Sequence, residues 1–490
     1  MMNFIYFNPD QLRADFLGCY GHPMAQTPNM DRLAAEGTRF DQCHVQHSVC
    51  TPSRCSFMTG WYPHVRGHRT LWHPLQKDEP NTLKYLKQHG YDVQWFGKND
   101  LLSQDSFEQS VNGLHFPELG SQGSRDIFPK QDPRYWSFLY GPGDGHTHDW
   151  NLTERAITYL RNRKPEDPPF MLNMALAFPH PPFECPQPWY DMYDPDELPP
   201  MRPADLENKP CFHRLLREYS QWDQLDDATF RKARAVYLGM ISYVDTMLGN
   251  LLNALEETGH AENTTVILFS DHGEWAGDYG LIEKWQGALD DCLTRVPMIV
   301  RTPGGVQGHV VKELIECFDI HPTTLELAKI PLQHTQFAIS MCDQLQGQAG
   351  DPNRAVFAEG GYDPHEPHCF EGSMQDVGAD PEGIYANKGR LQQDVVEASA
   401  RSTMIRTQTH KLIFRRGDIS ELYDLQTDSN ELNNLYGRTE HQAVQQSLEF
   451  QLLNWYQRTS DVVPYERSCR TYTEAVRAAH SVHNTAQARA

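Results

Sequence analysis

No two cysteines in this chain are spaced C-x-x-C, and the eleven present are scattered at irregular intervals. A zinc ribbon is therefore excluded, and the odd count indicates no disulfide framework. Reduced thiols in a cytoplasmic setting are the expectation. No charged segment followed by a long apolar run opens the chain, so no secretory leader is expected. No run approaches the ~20 apolar residues of a membrane-spanning helix, so no membrane partner is expected either. Positive charge is in short supply: 43 Lys and Arg stand against 65 Asp and Glu, for a net charge of −22. Such a chain should not seek nucleic acid or acidic membranes. Repeats and low-complexity tracts are also missing.

What is present suits a large globular protein. The 490 residues exceed one simple core, and 39% are apolar, so one large domain and a smaller one are expected. Phe4 to Phe7 reads as a buried strand that exits through Asn8-Pro-Asp10-Gln11. Thr27 to Gly37 reads as a capped amphipathic helix, and Thr38 to Val45 as a strand. Thr82 to His89 is a helix and Tyr91 to Phe96 the next strand. Asn151 to Arg163 is helical, Phe170 to Phe178 is a strand, and Pro179 to Lys209 is loop. Ala228 to Thr258 forms one long helix. Thr264 to Phe269 is a strand ending in Ser270-Asp271-His272-Gly273, Pro297 to Arg301 a short strand, and Phe318 to Ile330 a helix. This alternation gives an α/β fold with a mostly parallel sheet covered on both faces. Ligands of such sheets bind beyond the carboxyl ends of the strands, where Asp10, the residues after Phe96, and Asp271 fall. Leu101 to Asp149 reads as a long irregular insertion near that mouth. The character changes near residue 382, which divides the chain into 1–381 and 382–490. Ser402 to Thr407, Lys411 to Arg416 and Glu421 to Leu425 read as antiparallel strands, with a helix from about Glu440 to Arg458.

One stretch organises the chemistry, Ser48-Val-Cys50-Thr-Pro-Ser-Arg54-Cys-Ser-Phe-Met-Thr-Gly60. Thr51 is expected to cap a helix with Pro52 in its first turn. Cys50 then lies at a helix N-terminus, where the dipole favours anions and lowers a thiol's pKa. Arg54, one turn on, supplies a fixed cation.

The string C-T-P-S-R-x-x-x-x-T-G resembles the signature of the type I sulfatases, members of the alkaline phosphatase superfamily. The resemblance implies an alkaline phosphatase-like sheet and a small C-terminal α+β subdomain, echoed in Glu421-Leu-Tyr-Asp-Leu425. It also implies that a maturing, formylglycine-generating enzyme oxidises Cys50 to formylglycine. Asp10, Gln11, Asp271, His272 and an oxygen on the modified Cys50 would then hold one divalent metal. The resemblance favours Ca²⁺; the donor set also admits Mn²⁺ or Mg²⁺, and the imidazole Zn²⁺. Lys98, in Phe96-Gly-Lys98-Asn-Asp100, matches the lysine that bridges a sulfate oxygen and the nucleophile. Asp100 stands where the family usually has a histidine, facing the substrate. His180, in Phe178-Pro-His180-Pro-Pro-Phe183, matches a histidine at the leaving-group oxygen, and Lys284 a second sulfate-binding lysine. His68, Arg69 and His73 follow the motif helix and are candidates for the pocket wall. Trp72, Trp95, Trp136 and Trp150 could stack on sugars or aryl groups.

The implied reaction is hydrolysis of a small-molecule or carbohydrate sulfate ester. The hydrated aldehyde attacks sulfur in line, Arg54, Lys98 and Lys284 neutralise the sulfuryl oxygens, and His180 serves the leaving alcohol. Asp10-Gln11 also resembles the phosphonate monoester hydrolases, which lack a lysine at position 98. A phosphonate monoester or phosphodiester hydrolase, and an unmodified homologue that binds sulfate without turnover, are the alternatives. Segments 101–149 and 340–395 match nothing recognisable and are expected to select the substrate. Whether the chain is a monomer or a homo-oligomer stays open.

Overall fold

The computed structural model describes residues 2–116, 128, 132–135, 138–143, 145–363, 366 and 385–463. Its large sheet is built from β1 (Asn3–Pro9), β2 (Thr38–His44), β3 (Asp92–Gly97), β4 (Gly113–His115), β5 (Phe170–Leu176), β6 (Thr264–Phe269), β7 (Arg295–Val296), β8 (Met298–Arg301) and β9 (His309–Glu316). The spatial order runs β4, β3, β5, β1, β6, then β8 with β7, then β2, with β9 pairing β2. Neighbours from β4 to β6 are parallel. β8 runs antiparallel to β6 and, with β7, to β2, whereas β9 pairs β2 in parallel. Pro297 separates β7 from β8 because it has no N–H to give the ladder. Every residue of β1, β5 and β6 is buried, as expected for strands covered on both faces.

The helix Asp227–Glu257 is the main covering element, with the Asp226 side chain accepting from Thr229 N at its start. By length and composition it could cross a bilayer, yet most of it is buried within the protein. Leu248, Leu251, Leu252 and Leu255 along it are fully buried, each contributing ~1.5–3 kcal/mol by leaving water.

Three expectations change. Leu101 to Asp149 is not wholly irregular: it holds the helix Gln104–Ser110 and β4, which pairs β3 in parallel. β9 and the helix Cys211–Tyr219 went unread, because β9 alternates buried and exposed residues only over part of its length. The small antiparallel sheet consists of β10 (Val356–Gly360), β11 (Ser402–Arg406), β12 (His410–Arg415) and β13 (Glu421–Asp424). Its first strand comes from before residue 382. The helix Gln442–Thr459 packs on it through Leu448, Leu452 and Trp455. The tail past 463 lies outside the described residues.

Candidate active site

Five strand ends converge on one spot. Asp10 and Gln11 follow β1, Lys98 follows β3, His180 follows β5, and Asp271 and His272 follow β6, while Cys50 opens the helix Cys50–Thr59 after β2. Two glycines make the approach possible. Gly97 has φ 115° and a Cβ there would collide with Ala175 O; at Gly273 a Cβ would collide with Cys292 O. Gln11 and Glu283 hold φ of 67° and 70°, left-handed conformations that store strain in non-glycine residues and collect at functional sites. Gln11 is pinned there by its N–H to Asp271 Oδ1 (3.1 Å) and by Tyr237 Oη donating to its carbonyl (2.7 Å).

Asp10, Cys50, Asp271 and His272 are all buried, and each offers a ligand atom within 4.8 Å of the others. His272 Nδ1–H donates to Gly273 O (2.9 Å). That fixes the tautomer and turns the Nε2 lone pair toward Cys50 Sγ at 3.2 Å and Asp10 Oδ1 at 3.5 Å. Arg54 takes the outer oxygens, with Nη2 on Asp10 Oδ2 (2.9 Å) and Nε on Asp271 Oδ2 (2.8 Å). Lys98 Nζ sits 2.5 Å from Asp10 Oδ2, 2.7 Å from Asp100 Oδ2 and 3.9 Å from Cys50 Sγ. Burial alone would raise the Asp10 carboxyl, but Lys98 and Arg54 hold it well below its ordinary range. The Oδ1 atoms and the imidazole thus face inward while the cations stay outside.

Cys50 departs from its expected setting. Thr51 does not cap the helix; Val49 occupies the cap position, and Thr51 Oγ1 donates to Leu71 O. Burial, and then the charge of Asp10, push the thiol far above its ordinary value, so the helix end does not yield a thiolate. A buried sulfur beside two carboxylates loses more by desolvation than the dipole returns.

On the opposite wall, Lys284 Nζ donates to Gln11 Oε1 (2.9 Å), His180 Nε2 (2.7 Å) and Glu283 Oε1 (2.9 Å). The Gln11 side chain is therefore turned to Lys284, and its amide to Glu274. Its oxygen keeps a second lone pair, but it is not aimed with the Oδ1 atoms. His180 Nδ1–H donates to Pro181 O (2.5 Å). Its Nε2 is then an acceptor for Lys284. Burial first, and the Lys284 charge second, lower its pKa to about 3, so the ring stays neutral. Within this pair the mobile proton is carried by the Lys284 ammonium and not by the ring.

Sequence reading missed Glu283, Glu274 and Lys388. Glu283 is fully buried between Lys284 and Lys388, and its one signal was adjacency to Lys284. Glu274 is pushed up to about 7 by burial and by Glu283. Lys388 had no signal, since it arrives from a helix more than 100 residues away. The aromatic and basic candidates mostly serve structure. His68 is tied to His73 O and Glu79, and Arg69 pairs with Glu366. Trp95 is buried in the core, Trp150 stacks on His146 at 4.2 Å, and Trp136 lies outside the described residues.

Comparison with known proteins bears on the chain and its fold. Residues 2–330 match the family model described as Sulfatase, and residues 392–458 match that of the N-sulphoglucosamine sulphohydrolase C-terminal region. An uncharacterized sulfatase, YidJ, of Escherichia coli is 27% identical over 97% of this chain and 91% of its own. An N-acetylglucosamine-6-O-sulfatase of Bacteroides thetaiotaomicron is 25% identical over 91% of this chain and 84% of its own. The phosphonate monoester hydrolase of Agrobacterium radiobacter has the same fold, with TM-score 0.76 and 22% identity over 94% of this chain and 96% of that one.

Proposed function

The chain belongs to the sulfatase family and is a sulfuric ester hydrolase, and from that premise we propose that it cleaves an aryl or carbohydrate sulfate monoester at the site of Cys50, Lys98 and Lys284. The observation that carries this reading is the inward convergence of Asp10 Oδ1, Cys50 Sγ, Asp271 Oδ1 and His272 Nε2.

That donor set fits a divalent cation. Two hard carboxylate oxygens and a tautomer-fixed imidazole face one point, with Gln11 within reach after a side-chain turn. Ca²⁺ is our first choice, with Mn²⁺ or Mg²⁺ next; the metal would supply Lewis-acid polarisation of the nucleophile and the sulfuryl group. Formylglycine made from Cys50 would supply an oxygen nucleophile in place of the thiol. The chain's own residues do the rest. Arg54 holds both metal-facing carboxylates in register. Lys98 meets a sulfuryl oxygen from one wall, and Lys284 meets another from the opposite wall with the donor it now gives to Gln11 Oε1. As the S–O bond breaks, its electron pair stays on the leaving oxygen, which takes a proton from the Lys284–His180 pair.

Two measurements test this. Mass spectrometry of the tryptic peptide Phe40 to Arg54 should show the aldehyde, or its hydrate, in place of the thiol; an intact thiol in active enzyme refutes the mechanism. The kcat/KM for an aryl sulfate should exceed that for a phenyl phosphonate ester. The reverse order favours the second reading, a phosphonate monoester hydrolase, which the neutral Gln11 beside Asp10 supports and Lys98 opposes.

A further inference from the structure

Lys388 lies on the helix Ala386–Asp394, far in sequence from every strand end that builds the site, yet it is 1% exposed. Its Nζ is 3.3 Å from Glu283 Oε2, while Glu283 Oε1 holds Lys284 Nζ at 2.9 Å. Lys284 in turn donates to His180 Nε2 and Gln11 Oε1. One carboxylate thus joins two ammonium groups, of which only the second touches the reaction centre. The segment carrying Lys284 is clamped from the same side. Trp285 Nε1 donates to Ala398 O (2.6 Å), Gln286 Nε2 to Ser399 Oγ (3.0 Å), and Gly361 N to Gln286 O (2.8 Å). From the opposite side Ser48 Oγ donates to Trp285 O (2.9 Å), tying the clamp to the stretch that bears Cys50.

The physical consequence follows from the charges. A carboxylate fully removed from water and facing one ammonium would draw that ammonium to itself, because the opposite charge is its main compensation. Lys284 would then lean on Glu283 and leave His180. A second cation on the other oxygen of Glu283 shares the charge. The strained left-handed backbone at Glu283 keeps the carboxylate between the two. Lys284 is so released to point two of its donors at His180 and Gln11.

We propose that Lys388 is a positioning residue for the sulfatase reaction, one that sets the Lys284–His180 pair at the leaving oxygen by neutralising the far side of Glu283. This rests on the reading above, in which that pair serves the leaving group. A residue that only stabilises the fold would lower turnover of all substrates alike. One that aims a proton donor matters most when the leaving group is basic, and little when it departs as a stable anion.

The test compares 4-nitrophenyl sulfate, a good leaving group, with 4-methylphenyl sulfate, a poor one, in wild type, Lys388→Met and Lys388→Arg. For Lys388→Met, kcat should fall about tenfold further on the 4-methylphenyl ester than on the 4-nitrophenyl ester, with KM within about twofold. Lys388→Arg, which keeps the charge, should restore most of the difference. Should Lys388→Met not fold, Glu283→Gln reads the same linkage from its other end and should show the same leaving-group bias. Equal losses on both esters, or a bias that Arg does not reduce, overturn the proposal and leave the sulfatase reading intact. Failure of the wild type to hydrolyse either ester, and sugar 6-O- and 2-O-sulfates as well, overturns the reading, and the proposal with it.

Discussion

Asp100 sits 2.7 Å from Lys98, and both side chains are about a quarter exposed. The carboxylate therefore draws off part of the charge that would otherwise meet a sulfuryl oxygen. Asp100→Asn should tighten competitive inhibition by inorganic sulfate by about 2–5-fold, since partly exposed pairs of this kind are worth ~0.2–1 kcal/mol; an unchanged inhibition constant would show that Lys98 does not touch the anion. Cys50→Ala should reduce aryl sulfate hydrolysis to background while leaving the thermal midpoint close to wild type, because the side chain removed is small and its nearest partners, Asp10, His272 and Lys98, keep their other bonds. Residual turnover well above background would remove position 50 from the chemistry. At this scale the sequence was most readable where a motif has fixed spacing, as in Cys50 to Gly60 and Ser270 to Gly273. It misled where burial outweighs local context. The thiol at a helix start looked activated, and burial beside Asp10 reverses that.

Among the elements, the helix Pro28–Glu36 shows how a cap can come from elsewhere. Thr27 precedes it but makes no capping bond, its hydroxyl turning to Asp31. The cap is Asp245, from the middle of the helix Asp227–Glu257, accepting from Asn29 N (3.0 Å) and Met30 N (2.7 Å). Burial raises its carboxyl to about 6. A folded-state pKa above the unfolded value means the native state holds a proton that the unfolded chain has released between about pH 4 and 6. The contribution is thus present below about pH 4 and is lost as pH rises through 6. Asp245→Asn should flatten this decline: the wild-type-minus-variant difference in unfolding free energy should shrink by on the order of 2 kcal/mol from pH 4 to 7. Denaturant unfolding at several pH values reads it directly, and a pH-independent difference would contradict it. The long helix and the apolar strands were legible because their periods are regular and their burial near complete. β10 was not, since three apolar residues followed by Glu359 and Gly360 carry no mark of which sheet they will join.

Over the whole molecule, buried ion pairs bind the C-terminal sheet to the catalytic sheet. Lys411 contacts Asp291 (2.8 Å) and Glu431 (2.5 Å), Arg406 contacts Asp291 (3.2 Å), Lys209 reaches Asp290 and Glu421, and Arg415 pairs with Glu421 (2.8 Å). Four cations thus balance four carboxylates out of water. The adjoining residues hold the loop that carries Asp271 and His272, with Gly273 N donating to Leu293 O and Glu274 N to Cys292 O. Lys411→Met should cost about 3–5 kcal/mol, as removal of one partner from a buried pair does, and should lower kcat even well below the new melting temperature; thermal scans with parallel kinetics check both. Charge also acts at long range. Within the site, Arg54, Lys98, Lys284 and Lys388 face Asp10, Asp100, Asp271 and Glu283, so the chain's net −22 governs the approach of an anionic ester. Screening that charge should raise kcat/KM, by about twofold from low to 0.15 M ionic strength; a fall with salt would mean that the site's local field dominates.

The sequence by itself determined the α/β alternation, the strand ends that would face the site, and the motif that names Cys50. Those features are local: each is written in a few consecutive residues or in one period of burial. The tertiary structure alone decided that the Gln11 side chain turns to Lys284, that His180 accepts rather than donates at Nε2, and that Lys388 reaches the site through Glu283. These depend on groups distant in sequence meeting where water is excluded, and there the balance between desolvation and nearby charge sets which atom holds the proton. The stretch around Cys50 announced the chemistry, while the wall opposite it was assembled by the fold.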